Sequence, residues 1–520
     1  MLEFFFGKTK PASSSLDGQV IDLNKCEGSS KQRPLVHLPP LSEELVQALQ
    51  RHLNIYSLND ELVKKMPKTD LHVHAEAGFL MDMQLARKLA ERNKVEFPEY
   101  LIDPESDLWM YRGLEDFCQF LKDFRAISKL IQTPQDVEDI TYAFYKYCYK
   151  NNVIFALPGI SWIQCKDKMG FPEFIQAYNN ALLNGMREFG EVSILRLRYY
   201  MERQVTEEEN EEIWQNLRAL PNRLITTIGL AGDELNHPFG KFIPFYEKVR
   251  EHRAIAGNQP YFLTAHMEKY SDSQTILEAT RLLDWIAHGR NAVDSEDCLN
   301  AMIAKGMRFE ICPKSDIAVY EEIPDLDQHI QLKKLLAAQV VTLSSDDPAF
   351  FGGVTGVYQD VLNAKLVDYS QLLQCTVNGL MPAQPASLEE FKANQPKFFQ
   401  EQQRIAMTGL LKIQFFQYYW LMLPSLVNLP AETAQKLFQI DLKTSEKQIV
   451  EYLSEVIDPV ITDALSGMLQ CKCKIRTNTQ AILEETKQMH SEFYERCNQD
   501  DTMNLAFSLT STLNCLSGML

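Results

Sequence analysis

Four short stretches, in one order along the chain, carry residues that bind metals or move protons. They are Leu71-His72-Val73-His74, Thr264-Ala265-His266, Ala287-His288-Gly289 and Ser345-Asp346-Asp347-Pro348. Each closes a run that reads as a β-strand. Residues two apart in a strand face the same side, so His72 and His74 point together while Leu71 and Val73 face away. Two imidazoles at that spacing can share one cation. Taken singly, His266 and His288 read as satisfied core or loop histidines, and Asp346 and Asp347 as caps of a following helix. Taken together, three histidines and an aspartate so far apart in sequence meet only in a fold that gathers strand ends at one face. Such a set implies a mononuclear metal-dependent hydrolase.

The elements between these stretches fit that requirement. Strand-like runs fall at residues 70–76, 153–157, 193–199, 224–230, 261–266, 285–288, 308–312 and 340–345, separated by amphipathic stretches such as 136–149, 174–189 and 272–283. Eight strands alternating with helices predict an α/β fold, a (β/α)8 barrel, which carries its chemistry at the C-terminal strand ends. The barrel is expected over residues 62–385. Residues 1–61 read as an N-terminal extension: a Ser-, Lys-, Gly- and Pro-rich tail to about residue 40, then a helix over 41–53 capped by Ser42. Residues 382–400 read as a Pro-rich linker, and 386–520 as an additional helical C-terminal region. There, Ile413, Phe416, Trp420 and Leu423 form an apolar stripe expected to be a buried helix face.

Composition narrows the classes further. The 520 residues are 45% hydrophobic and 23% charged, as in an ordinary globular protein, with a net charge of −18. That balance disfavours nonspecific nucleic-acid binding and anionic membrane surfaces, both of which need a basic patch. The 11 cysteines are odd in number and scattered, and read as reduced thiols. Cys471-Lys472-Cys473 is a lone close pair without further ligands and reads as structural. The start of the chain lacks a basic segment before its short apolar run. The run 410–423 is too short and too polar to span a bilayer. Cytoplasmic residence is therefore expected, with export by a route lacking a cleavable signal left open.

The motifs together resemble the adenosine/adenine/AMP deaminase family of zinc amidohydrolases. The pieces are Leu71-His72-Val73-His74, Gly229-Leu230-Ala231-Gly232-Asp233-Glu234, the stretch ending in His266, His288-Gly289, Cys312-Pro313-Lys314-Ser315, and the stretch from Ser344 to Gly352, in the family's order over roughly residues 66 to 360. The resemblance implies that His72, His74, His266 and Asp346 bind one zinc ion per chain, which activates water for attack at C6 of a purine. It implies that His288 orients the water and steadies developing charge, that Asp347 meets N7, that the backbone of Gly232 approaches N3, and that His74 and Glu76 contact substrate. Asp346 and His288 would thus be catalytic, together with an acid that protonates N1.

The chain departs from the family at that acid. The family's donor stands three residues after the third histidine, whereas this chain reads His266-Met267-Glu268-Lys269. Either a contracted turn brings Glu268 to N1, or Lys269 donates, or the site binds metal and purine with little turnover. A second departure is His74-Ala75-Glu76-Ala77-Gly78, one residue longer than the family's pattern. Ala231-Gly232-Asp233-Glu234 is similar to adenosine deaminases and Phe350-Phe351-Gly352-Gly353 to adenine deaminases. The expected ligand is therefore a small-molecule purine nucleoside or nucleobase, with adenosine first, adenine second and AMP third. A purine- or partner-binding pseudoenzyme is the reading from another class.

Overall fold

The computed structural model describes residues 37–105, 108–111, 117–380 and 383–499. Most of the expected tail lies outside them. Eight parallel strands form the centre: β1 (Lys68–His74), β2 (Val153–Ile160), β3 (Ile194–Leu195 and Leu197–Glu202), β4 (Ile225–Ala231), β5 (Phe262–Leu263 and His266–Met267), β6 (Ile286–His288), β7 (Phe309–Ile311) and β8 (Val341–Leu343). They pair in sequence order. The first piece of β5 pairs with β4 and the second with β6. Thr264 N donates to Ile228 O at 3.0 Å and Ala287 N to Ala265 O at 3.1 Å, so the backbone between the two pieces stays paired on both sides. The ring closes just past β8, where Asp346 N donates to His72 O (2.9 Å) and His74 N to Asp346 O (2.8 Å). This is the (β/α)8 barrel expected from the alternation of elements.

Strand burial explains the sequence pattern. Every residue of β2 is buried, as a strand flanked by barrel interior and outer helices requires. Helices begin where the capping chemistry allows. Ser42 accepts from Leu45 N at 3.2 Å to start Glu43–Leu53. Thr133 and Asp136 form a capping box at Pro134–Lys150. Several expected boundaries shift. Strand β1 ends at His74, and Glu76 instead opens a short 3-10 turn, Glu76–Phe79. The helix expected over 272–283 is Ser273–Ala279, capped by Asp272.

The expected linker is corrected outright. Its described part is helical, comprising Pro385–Asn394 and the start of Pro396–Met422. Pro385 and Pro396 occupy first-turn positions, where a missing N–H costs nothing and φ is already set; a composition that resembled a breaker is a pair of helix starts. Beyond it, Ala431–Phe438, Glu446–Glu455 and the 41-residue Pro459–Gln499 complete the C-terminal helices. Ile413, Phe416, Trp420 and Leu423 are buried, as expected for a helix face.

These helices sit on the N-terminal ends of the strands. Lys412 Nζ donates to Val192 O (2.9 Å) just before β3, Lys443 Nζ to Asn152 Oδ1 (2.8 Å) just before β2, and Arg196 pairs with Glu401 at 2.9 Å. They therefore cover the barrel face opposite the C-terminal strand ends, the face associated with stability. The described cysteines are free thiols, and Cys471 and Cys473 join none of the metal-competent groups among the described residues. No helix among the described residues is long and apolar enough to cross a membrane.

Candidate active site

The strand ends deliver the chemistry to one place. His72 and His74 leave β1 on the same side, and their ring centroids are 5.3 Å apart. His266 begins the second piece of β5, its Nε2 3.2 Å from His74 Nε2. Asp346, past β8, places Oδ1 3.5 Å from His72 Nε2 and 3.4 Å from His74 Nε2. His288 ends β6, with its ring 4.5 Å from that of His72. The structure thus brings together all four expected metal ligands and His288. Two of these residues have backbones that L-residues rarely adopt: His288 at φ +54° and Asp346 at φ +62°. Such strain, about 1–3 kcal/mol per residue, persists where neighbouring structure over-determines it.

The nitrogens that face inward are free to ligate. His266 Nδ1 is committed to Leu230 O at 2.8 Å and His72 Nδ1 to Glu310 Oε2 at 3.1 Å, which leaves each Nε2 pointing into the cluster. His72 Nε2 is buried without a hydrogen-bond partner, an arrangement that costs free energy unless a ligand completes it. Burial, with His72, His288 and His74 around it, holds the His266 imidazole well below its ordinary range, in the neutral form a metal ligand needs. The donor set of three imidazoles and one carboxylate fits a zinc ion with one position open.

Behind the ligands stands a residue the sequence reading passed over. Glu310, in β7, is fully buried and receives Arg198 Nη1 at 3.0 Å, a second Arg198 nitrogen, and Trp285 Nε1 at 2.6 Å, besides His72. Burial pushes its carboxyl up, but the Arg198 guanidinium and His72 outweigh this and hold it below the usual range. The available signal was an acid inside the apolar run Phe309-Glu310-Ile311, facing a run that carries Arg196 and Arg198. Partners of metal-ligating histidines fix ring orientation. Glu310→Gln is accordingly expected to weaken metal binding about 10- to 100-fold, read by chelator competition with thermal unfolding in parallel; unchanged affinity in a folded variant would remove Glu310 from this role.

The cluster opens into a cleft with about 820 Å³ of atom-free space, part of it open to solvent. Gly232, Glu76, Asp347 and Glu268 all line it. Gly232 has φ +100°, a backbone that favours glycine, and a Cβ there would also displace the end of the Gln204 side chain, whose Oε1 would lie 2.0 Å away. Asp347 Oδ1 is buried without a partner, and burial pushes its carboxyl up to about 7. Asp347 precedes the helix Pro348–Phe351 but makes no capping bond, so the helix-cap reading of the two acids does not hold. Glu76, at φ +48°, accepts from Ser161 N (3.2 Å) and Tyr178 OH (2.9 Å), and burial raises its carboxyl to about 8.

The contracted turn is held from behind. The Glu234 carboxylate accepts from Glu268 N (3.1 Å), Tyr270 N (3.2 Å) and the Ser271 hydroxyl. Glu234 stood in a quoted motif without a role. This anchoring turns the Glu268 side chain inward, where Oε1 lies 3.4 Å from His288 Nε2 and Oε2 accepts from Tyr320 OH at 3.3 Å. Burial raises the Glu268 carboxyl. Lys269 is exposed, its Nζ is 5.9 Å from the Tyr320 ring centroid, and it does not line the cleft. Of the two residues that compete in sequence register, only Glu268 reaches the cleft.

The family model for adenosine deaminase matches residues 67–388. An adenine deaminase of Wolinella succinogenes is 29% identical over 313 residues, 59% of this chain and 88% of that protein. The crystal structure of an adenine deaminase from Arthrobacter aurescens superposes with a TM-score of 0.53 at 23% identity, covering 65% of this chain and 98% of that one. An amidohydrolase from Burkholderia ambifaria, solved with bound zinc, gives 0.55 at 19% identity, covering 68% and 96%. Both likenesses extend over the barrel fold.

Proposed function

From the premise that the chain belongs to the adenosine deaminase family, and is a hydrolytic deaminase acting on a C–N bond, we propose that it binds zinc and deaminates an aminopurine that carries no phosphate, adenine first. The observation that carries this reading is the cleft wall. Glu76, Glu202, Glu268 and Asp347 all line it, and no lysine or arginine does so among the described residues. A phosphate ester placed there finds no side-chain cation to pair with, in a site partly shielded from water. A neutral purine meets acceptors for its N–H groups. Adenine moves ahead of adenosine, reversing the order expected from sequence, because a relative named adenine deaminase is similar over 88% of its own length.

A zinc ion held by His72, His74, His266 and Asp346 supplies Lewis-acid activation of water near neutral pH. The chain's own residues do the rest. His288, tied to Glu268 and beside the ligands, positions the water's hydrogens. Glu268 holds a proton within reach of the purine N1. Asp347, with its free Oδ1, fixes the ring at N7, and Gly232 lets the backbone approach N3. Adenosine is the second reading, favoured by Gln164, Gln204 and Glu202 on the cleft wall, which can meet sugar hydroxyls.

Ammonia release from adenine, adenosine and AMP, measured on zinc-loaded protein, tests the reading. Adenine is expected to have the highest kcat/KM and AMP a value lower by about 10²-fold or more, the scale of a few kcal/mol for a phosphate left without a cationic partner. Equal turnover of AMP would overturn the phosphate-free class, and silence on all three would overturn the activity.

A further inference from the structure

Part of the cleft wall serves neither the metal cluster nor the residues that handle the purine's amine. Glu202 ends β3, is buried (5% exposed) and belongs to none of the metal-competent groups. Its Oε1 accepts from Ser161 Oγ at 2.5 Å and Gln164 Nε2 at 2.7 Å. Its Oε2 accepts from Gln204 Nε2 at 2.7 Å. Ser161 also reaches Glu76 through its backbone N–H. The donors therefore come from three positions on two adjacent strand ends, and each removes some of the side chain's freedom.

A carboxylate offers about four acceptor sites. Three are used, two on Oε1 and one on Oε2, so Oε2 retains capacity toward the cleft that Glu202 lines. A carboxylate this buried and this firmly held is preorganised to accept, and its charge favours a donor over any anion.

Its place in the cleft says which part of a ligand it faces. Gln204 is the link: its Nε2 binds Glu202, and its Oε1 accepts from Asp233 N at 3.4 Å and fills the space where a Gly232 Cβ would stand. Glu202 is thus coupled to the Gly232 side of the cleft. With the purine's C6 over the metal ligands and N3 toward Gly232, as in the proposed function on which this rests, the next group around the ring is N9.

We propose that Glu202, fixed by Ser161, Gln164 and Gln204, is a specificity-determining residue that accepts a hydrogen bond from the N9 end of the ligand. The donor is the N9–H of a free base or a hydroxyl of a ribose attached there. Both are neutral donors, and an anionic group at the same place is excluded.

The test uses product ligands, so it does not depend on turnover. Calorimetric Kd values are measured on the zinc-loaded protein for hypoxanthine against 9-methylhypoxanthine, and for inosine against 2′,3′-dideoxyinosine. Loss of a hydrogen bond to a charged acceptor weakens binding by about 10- to 100-fold. That penalty is expected in the wild type for at least one pair; the first pair identifies the base as the source, the second the nucleoside. In Glu202→Ala with full metal content, the same pair is expected to bind within about threefold of each other, because the acceptor is gone. Wild-type affinities that ignore both donors overturn the proposal, even if the alanine variant does not fold. A folded Glu202→Ala that keeps the full preference overturns it too. Discrimination between the products without any turnover of adenine, adenosine or AMP would uphold this subsite and sink the deaminase substrate reading instead.

Discussion

Replacing Asp346 by alanine is expected to reduce turnover to background and to strip the protein of zinc. Asp346 Oδ1 stands within 3.5 Å of both His72 Nε2 and His74 Nε2, and it is the one anionic member of the proposed ligand set. Its loss removes a quarter of the coordination and all of the negative charge that offsets the cation. The acceleration owed to a Lewis acid is several kcal/mol, so at least about a thousandfold in rate should vanish. The backbone of Asp346 also closes the barrel through Val73 at φ +62°, a conformation that aspartate tolerates better than alanine. Asp346→Asn is therefore the companion variant, keeping shape and local hydrogen bonding while removing the charge. Elemental analysis and ammonia release check both. Near-wild-type rate in either variant would refute this ligand assignment.

The second large effect is expected at the contracted turn. Glu268→Gln should lower kcat by about 10²–10⁴-fold, the usual worth of a positioned proton donor, with zinc content unchanged because Glu268 is not a ligand. Lys269→Met should stay close to wild type, as an exposed side chain outside the cleft. The basis is geometric. Glu234 pins the Glu268 and Tyr270 amides, and His288 and Tyr320 hold the carboxylate in the cleft. A reversed order of effects would make Lys269 the donor and would require the turn to rearrange when substrate binds. Steady-state kinetics on the two variants, with metal content measured on the same samples, separates these outcomes.

The chemistry-bearing positions were legible in the sequence because they are local. A strand puts His72 and His74 on one side whatever surrounds it, and an apolar run ending in His266, His288 or Asp346 marks a strand end. The alternation of strand-like and helical stretches, read together with the motifs, predicted the barrel, and the barrel predicts which strand ends meet. Element boundaries were less secure. Pro385 and Pro396 resemble breakers in composition, and only their first-turn positions show them to be helix starts.

Other features depend on contacts between residues distant in sequence. Nothing local marks Glu310 as the partner of His72, because that role arises where Glu310 of β7 meets His72 of β1 inside the barrel, with Arg198 of β3 balancing its charge. The choice between Glu268 and Lys269 is one residue of register in the sequence. The structure turns Glu268 toward the cleft through Glu234 and Asn291, whose hydrogen bonds to the turn's backbone come from other loops. Glu202 is likewise an ordinary acid at a strand end until Ser161, Gln164 and Gln204 converge on it. Spacing along one strand determines which side chains share a face; only tertiary packing determines which buried charges meet, and therefore which carboxylate is held ready to donate, to orient or to accept.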